Sequence, residues 1–250
     1  MIIEYHRPDT IEEALELLQR KEPITVPMGG GSALNAPSDD EVAVVDLQSL
    51  GLDMVKRKGK TLMVGATVTL ETLLASPALP EALSKTIRHE ATTNLRQVGT
   101  IAGTLVAADG RSAFTTTLLA LDPQLTWLPG DENQSLGDYL ALRGQSQPGL
   151  LITEISFPLQ PKLVYEYVAR SPADLPIVCV AVARWSSGRT RIVLGGYGSS
   201  PMAVFDGQEQ GGALPVVENA MADAEDEWAS AAYRADVAKT LTKRCLEELN

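Results

Sequence analysis

Apolar residues recur along this chain at two spacings, and the switches between them divide it into elements. After Pro8, Asp9-Thr10 supplies N-cap residues and Glu12-Glu13 an acidic first turn, while Ile11, Ala14, Leu15, Leu17 and Leu18 follow at helical spacing. Short apolar runs flank this helix at residues 1–8, Ile24 to Met28 and Val42 to Leu47, so the opening segment predicts β-α-β-loop-β. Met54 to Lys58 and Thr61 to Gly65 flank Gly59-Lys60 as a hairpin. Thr69 caps a helix through Leu70, Leu73 and Leu74, and Glu81 to Glu90 predicts another.

Strands are predicted at Gln124 to Leu128 and Leu150 to Phe157, with a short helix between them at Leu136 to Leu142. Pro158 and Pro161 then interrupt the chain. Beyond them the pattern becomes antiparallel: Leu163 to Arg170, Ile177 to Trp185 and Arg189 to Gly195, the last two joined across Ser187-Gly188. Helices over Leu214 to Ala224 and Ser230 to Leu249 complete the chain, and Gly207 to Gly212 reads as a linker. The proline pair predicts two domains, 1–160 and 161–250, the first with subdomains of about 1–52 and 53–160.

Two stretches interrupt this alternation and carry the candidate chemistry. Met28-Gly29-Gly30-Gly31-Ser32-Ala33-Leu34 follows an apolar strand, and Gly99-Thr100-Ile101-Ala102-Gly103-Thr104 follows Asn94 to Val98. Residues without Cβ accept positive φ and admit a ligand to the main-chain N–H groups, for which phosphate is the usual guest. The two stretches are expected to close on one extended ligand with a pyrophosphate in its middle, aided by the hydroxyls of Ser32, Thr100 and Thr104. Ile101 and Leu151 offer apolar contact to its rings, although core packing explains either residue, Leu151 above all. No Gly-Lys-Ser/Thr follows the triplet, so a Walker-type nucleotide loop is a poor reading.

Composition narrows the partners. The 250 residues are 44% hydrophobic and 21% charged, which suits an ordinary globular protein. A formal net charge of -11 argues against nucleic acid and anionic membrane. Lys56-Arg57-Lys58-Gly59-Lys60 is the densest basic run and reads as a solvated hairpin tip. Cys179 and Cys245 are far apart and build neither a disulfide framework nor a metal site, and His6 and His89 have no partners at ligand spacing. No apolar run reaches the length of a bilayer span, and the start lacks a basic leader, so a cytoplasmic, soluble protein is expected. No catalytic residue set or metal site is expected.

The segments in order resemble the flavin-binding medium subunit of molybdenum hydroxylases, the carbon monoxide dehydrogenase and xanthine dehydrogenase relatives. That family belongs to the fold superfamily of vanillyl-alcohol oxidase and p-cresol methylhydroxylase (PCMH). Tyr5 to Ala14 is similar to the family's opening, Gly29 to Leu34 to its first FAD loop, and Val45-Asp46-Leu47 to the strand after it. Val64 to Leu70, Leu95 to Leu105, Ile152 to Ile155 and Ser230 to Arg234 are similar to later segments, the second of these being the second FAD loop.

The resemblance implies an α+β fold: a two-part PCMH-type FAD-binding domain, then a small C-terminal domain with an antiparallel sheet and helices. It implies FAD as cofactor and an electron-transfer role beside a molybdenum-cofactor large subunit and a [2Fe-2S] small subunit, with NAD, a quinone or another carrier as acceptor. It adds Asp109 and Tyr167 to the cofactor-binding candidates Met28 to Leu34, Gly99 to Thr104 and Leu151. The family usually carries a polar or acidic residue at Ala33, Gly-Gly-Asn at Ala102-Gly103-Thr104, an aspartate near Ala113 and a lysine at Tyr167. These departures leave an alternative open: a non-catalytic relative that has lost FAD and serves assembly.

Overall fold

The computed structural model describes residues 1–35, 39–143, 148–208 and 212–250. The expected linker at Gly207 to Gly212 therefore lies partly outside the described residues. In chain order the elements are β1 (Ile2–His6), α1 (Ile11–Leu18), β2 (Thr25–Met28), β3 (Val42–Asp46), β4 (Val55–Lys58), β5 (Thr61–Gly65), α2 (Leu70–Leu74), α3 (Glu81–Glu90), α4 (Thr93–Val98), α5 (Ile101–Ala107) and α6 (Ala113–Ala120). They continue with β6 (Gln124–Leu128), β7 (Glu132–Ser135), α7 (Leu136–Leu142), β8 (Leu151–Pro158), β9 (Lys162–Val168), β10 (Val178–Arg184), β11 (Thr190–Gly195), β12 (Met202–Gly207), α8 (Ala213–Ala220) and α9 (Ala231–Glu248).

Two compact units are built from interleaved stretches of chain. The first takes Met1–Ala78, Thr92–Ala107 and Gln124–Phe157; the second takes Leu79–Ala91, Ala108–Pro123 and Pro158–Asn250. No single cut in the sequence separates them.

The first unit holds two sheets. One is parallel, ordered β1-β3-β2, and α1 provides the crossover from β1 to β2. Thr10 caps α1 by accepting from the Glu13 amide at 3.2 Å. The helix buries Ala14 and Leu18 against Val45, Leu47 and Leu151. The other sheet is ordered β4-β5-β8-β6-β7, with β4-β5 and β6-β7 as antiparallel hairpins. Strand β7, with the sequence Glu-Asn-Gln-Ser, was not expected, because it has no apolar alternation and owes its strand conformation to pairing with β6.

The second unit packs an antiparallel sheet, ordered β12-β11-β10-β9, with helices α3, α6, α8 and α9. Strands β10 and β11 are buried nearly throughout, and so is every residue of α6. Cys179 and Cys245 are buried free thiols within this unit. Burial pushes both thiols up to about 12, so they behave as small apolar groups. Arg234 of α9 is fully buried and donates to the Ile177 and Gly196 carbonyls and to Asp226. Among the described residues, no helix is long and apolar enough to cross a membrane, and no group of three or more His, Cys, Asp or Glu is placed to hold a metal ion.

Candidate functional site

The glycine triplet leaves the end of β2, whose last residue, Met28, pairs with Asp46 of β3. Asp46 is buried; it accepts from the Tyr5 hydroxyl and from the Gln48 amide at 3.0 Å, which fixes the strand end beside the loop. Its carboxylate, accepting that bond, pushes the Tyr5 phenol above its ordinary pKa.

Each glycine answers a different local demand. A Cβ on Gly30 would lie 1.5 Å from the Val98 carbonyl oxygen, and one on Gly29 would lie 2.5 Å from Thr100 Oγ1. Gly31 has φ +70, in the left-handed region. Two of the three are thus required by close approach to the second glycine stretch, which brings the two predicted segments together. Asn35 N closes the turn onto the Gly31 carbonyl at 3.2 Å. Among the described residues, the amides of Gly29, Gly30, Gly31, Ser32, Ala33 and Leu34 have no protein acceptor.

The second stretch differs from the open loop expected from sequence. It is the junction of α4 and α5, and an isolated antiparallel bridge pairs Thr100 with Thr69. The Gly99 amide donates to Leu95 O at 2.7 Å, Ile101 to Val68 O at 2.8 Å, and Ala102 to Ala66 O at 3.3 Å. Thr100 caps the turn that follows: its Oγ1 accepts from Gly103 N at 3.2 Å, and its carbonyl accepts from Thr104 N at 2.9 Å and Thr104 Oγ1 at 2.8 Å. Only the Thr100 amide in this stretch is without an acceptor among the described residues. The other five amides, expected from sequence to face a ligand, are bonded within the protein, to Leu95 O, Val68 O, Ala66 O and the hydroxyl and carbonyl of Thr100.

Two hollows adjoin the paired segments. A polar one of about 420 Å³ is lined by Gly29, Gly30, Gln48, Thr67, Thr69 and Gln97 among others, with Asp53 as a carboxylate on its wall. An apolar one of about 210 Å³ is lined by Pro27, Leu47, Ala102, Gly103, Trp127 and Leu151 among others. Gly29 and Thr100 border both. Ile101 is fully buried, and Leu151 belongs to the core cluster as well as to the apolar lining. Met28 approaches Gly31, its sulfur 3.5 Å from where a Cβ would sit.

Asp109 and Tyr167 belong to the second unit. Asp109 is exposed and accepts from the Arg111 amide at 2.8 Å. Tyr167 is on β9, its ring centroid 4.4 Å from that of His89 and 5.7 Å from that of Tyr165. His89 Nε2 donates to the Asp174 carbonyl at 2.8 Å. Sequence reasoning missed Trp127 and Tyr139, which line the apolar hollow from β6 and α7. No local signal marked them, since β6 and α7 lie outside both glycine segments in the chain and share a lining with them only once the unit is folded.

Comparison with known proteins places this geometry. Residues 1–160 match the family described as FAD binding domain in molybdopterin dehydrogenase. The chain belongs to this family. Its cofactor, by that family match, is FAD. The uncharacterized protein YgfM of Escherichia coli (strain K12) is 34% identical over 242 residues, covering 94% of this chain and 91% of that protein. The carbon monoxide dehydrogenase medium chain of Afipia carboxidovorans is 26% identical over 274 residues, covering 98% and 95%. Among solved structures, reconstituted CO dehydrogenase from Oligotropha carboxidovorans superposes with a TM-score of 0.83 at 24% identity, over 98% of this chain and 96% of that one. At that identity the likeness speaks for the fold, and the α+β architecture expected from sequence is the one found.

The residues present suit the cofactor of this family. A diphosphate needs several donors, and six successive loop amides lack protein acceptors, the first two of them, Gly29 and Gly30, lining a polar hollow. A ring system needs an apolar recess, and one adjoins the same two residues, Gly29 and Thr100.

Proposed function

We propose that this chain is the FAD-carrying electron-transfer subunit of a molybdenum-containing hydroxylase or dehydrogenase. It would receive electrons from [2Fe-2S] clusters of one partner, supplied by a molybdenum-cofactor subunit, and deliver them to NAD, a quinone or another carrier. The observation that carries this reading is the run of acceptor-free amides from Gly29 to Leu34, whose first residue, Gly29, approaches Thr100 and borders both a polar and an apolar hollow. The medium-chain relative and the family of FAD domains in molybdopterin dehydrogenases support it.

In this reading the amides of Gly29 to Leu34, the Ser32 hydroxyl and the Thr100 amide hold the two phosphates. Leu151 and Pro27 shield a ring from water. Bound FAD supplies the redox chemistry, and the polypeptide binds and orients it. We place the cytoplasm as its compartment, in keeping with two reduced cysteines.

Titration of FAD into the flavin-free chain is expected to give saturable binding and a raised melting temperature. Co-expression is expected to recover a complex with molybdenum and [2Fe-2S] subunits, in which the reduced clusters bleach the flavin absorbance. One observation favours the second reading, an assembly subunit without flavin: the second segment contributes one free amide where five more were expected. Colourless protein with neither FAD binding nor a thermal shift would establish that reading and remove the first. A flavin that stays oxidised beside reduced clusters would remove the electron-transfer role alone.

A further inference from the structure

The densest basic run of the sequence folds into the hairpin of β4 and β5. Lys56, Arg57 and Lys58 of β4 and Lys60 of the turn are all exposed. Among the described residues none of the four forms an ion pair, and Arg57 Nε donates to the Gly59 carbonyl at 3.0 Å. This concentration of unpaired positive charge belongs to a chain whose formal net charge is -11.

Strand β4 is also the end of its sheet. It pairs with β5 on one side, and no described strand pairs with it on the other. An open edge of this kind offers backbone N–H and C=O groups to an added strand. Lys56 and Lys58 are two residues apart, so they project from one face of the strand at a spacing of about 7 Å. Both line a third hollow, of about 440 Å³, together with Leu52, Met54 and Met63. Methionine pairs readily with varied apolar shapes. The carboxylate in that lining, Glu154, is on β8, and β5 separates it from β4.

These features select among occupants. Pairing β4 with β4 of a second copy would set Lys-Arg-Lys against Lys-Arg-Lys, so like charges would face one another. A nucleic acid or an anionic lipid surface would use the charges and leave the strand edge and the methionines without a partner. An extended polypeptide with carboxylates at every second position matches the lysine spacing, the open edge and the apolar lining together. We propose that β4 is a docking edge for an extended acidic segment of another protein, which adds to the sheet as an outer strand. Its carboxylates pair with Lys56 and Lys58, and a neighbouring apolar side chain enters the hollow. This inference is independent of the cofactor.

The test uses the full-length, 15N-labelled chain and the capped peptide Thr-Glu-Thr-Glu-Thr-Leu-Thr. Its control, Thr-Thr-Glu-Glu-Thr-Leu-Thr, has the same composition with the carboxylates on opposite faces. The first peptide is expected to give saturable shifts along β4 and β5 and to slow amide exchange in β4. The control should bind about fivefold more weakly, and so should the first peptide to Lys56→Gln/Lys58→Gln with an unchanged melting temperature. Unmoved β4 resonances at millimolar peptide, or equal affinity for the two peptides in the wild type, would overturn the proposal, and neither result needs a variant to fold. Anionic vesicles or an oligonucleotide shifting the same resonances while the peptide does not would give the patch to a different partner and overturn it too. Self-association of the double variant, with no peptide binding by the wild type, would assign the lysines to keeping the edge unpaired instead.

Discussion

Gly30 has no room for a methyl group: the added carbon would lie 1.5 Å from a backbone oxygen, which no side-chain rotation can relieve. Gly30→Ala must therefore separate Met28-Gly29-Gly30 from Val98-Gly99, at a cost expected to exceed ~2 kcal/mol. Chemical denaturation and FAD titration should both record it. At Gly31 the demand is conformational, φ +70 with the nearest atom at 3.5 Å, so Gly31→Ala is expected to cost only ~1 kcal/mol and to spare the loop contact. Arg234 shows the opposite kind of dependence. Its buried guanidinium satisfies two carbonyls and Asp226, and that carboxyl is held below its ordinary pKa because bonds from Trp228 N, Ala229 N and Arg234 outweigh desolvation. Arg234→Met removes the guanidinium donors from the Ile177 and Gly196 carbonyls and the charge partner from Asp226, and is expected to destabilise by ~3–5 kcal/mol in urea unfolding.

At the scale of elements, α3 and α6 are joined by one carboxylate. Glu90 accepts from Ser112 Oγ at 2.9 Å and from Phe114 N at 2.9 Å, so the last residue of one helix caps the next. Burial raises its pKa, and those two donors only partly offset the shift. A folded-state pKa above the unfolded one means that the native state binds the proton more tightly. This contribution to stability is complete below the ordinary glutamate range and is lost as pH rises through the raised value. Glu90→Gln should flatten that fall, seen as a urea midpoint that changes less between acid and neutral pH.

The elements also show what a sequence reveals. Helix α1 was legible from its cap and period, and β3, β5 and β10 from short apolar runs, because local signals and tertiary fate agree there. Helix α5 falls on the segment read as a glycine loop, and α4 covers Asn94 to Val98, to which the sequence assigned no element. Gly99 and Gly103 break the helical signal, while Thr69, whose bridge to Thr100 supports the turn, lies far back in the chain. For the same reason the sequence named the two segments of the site but not which amides remain open. Amide exchange tests this distinction: saturating FAD should slow exchange at Gly29 to Leu34 and leave Ile101 to Thr104, already bonded, little changed.

At the scale of the whole molecule, the two units are threaded through each other in sequence. Residues 79–91 and 108–123 belong with the sheet of the second unit, and α6 packs on β10 and β11 with every residue buried. A fragment of residues 1–160 therefore contains α3 and α6 without the surface that covers them. It is expected to bind hydrophobic dyes and to give poorly dispersed NMR spectra, whereas the full chain unfolds cooperatively. A proline pair marks where the antiparallel sheet begins, yet hydrophobic partnership, which no linear signal records, decides what folds with it.

The open amides of Gly29 to Leu34 have a consequence in the cell. A ligand that binds only the folded chain adds RT ln(1 + [L]/Kd) to its stability, so each tenfold rise of free FAD above Kd contributes about 1.4 kcal/mol. Without the ligand, Ser32, Ala33 and Asn35 present an exposed turn held by few internal bonds, the kind of segment proteases nick first. Riboflavin starvation should therefore shorten the lifetime of this protein, with cleavage beginning near that turn, so that vitamin supply sets how much of it the cell retains.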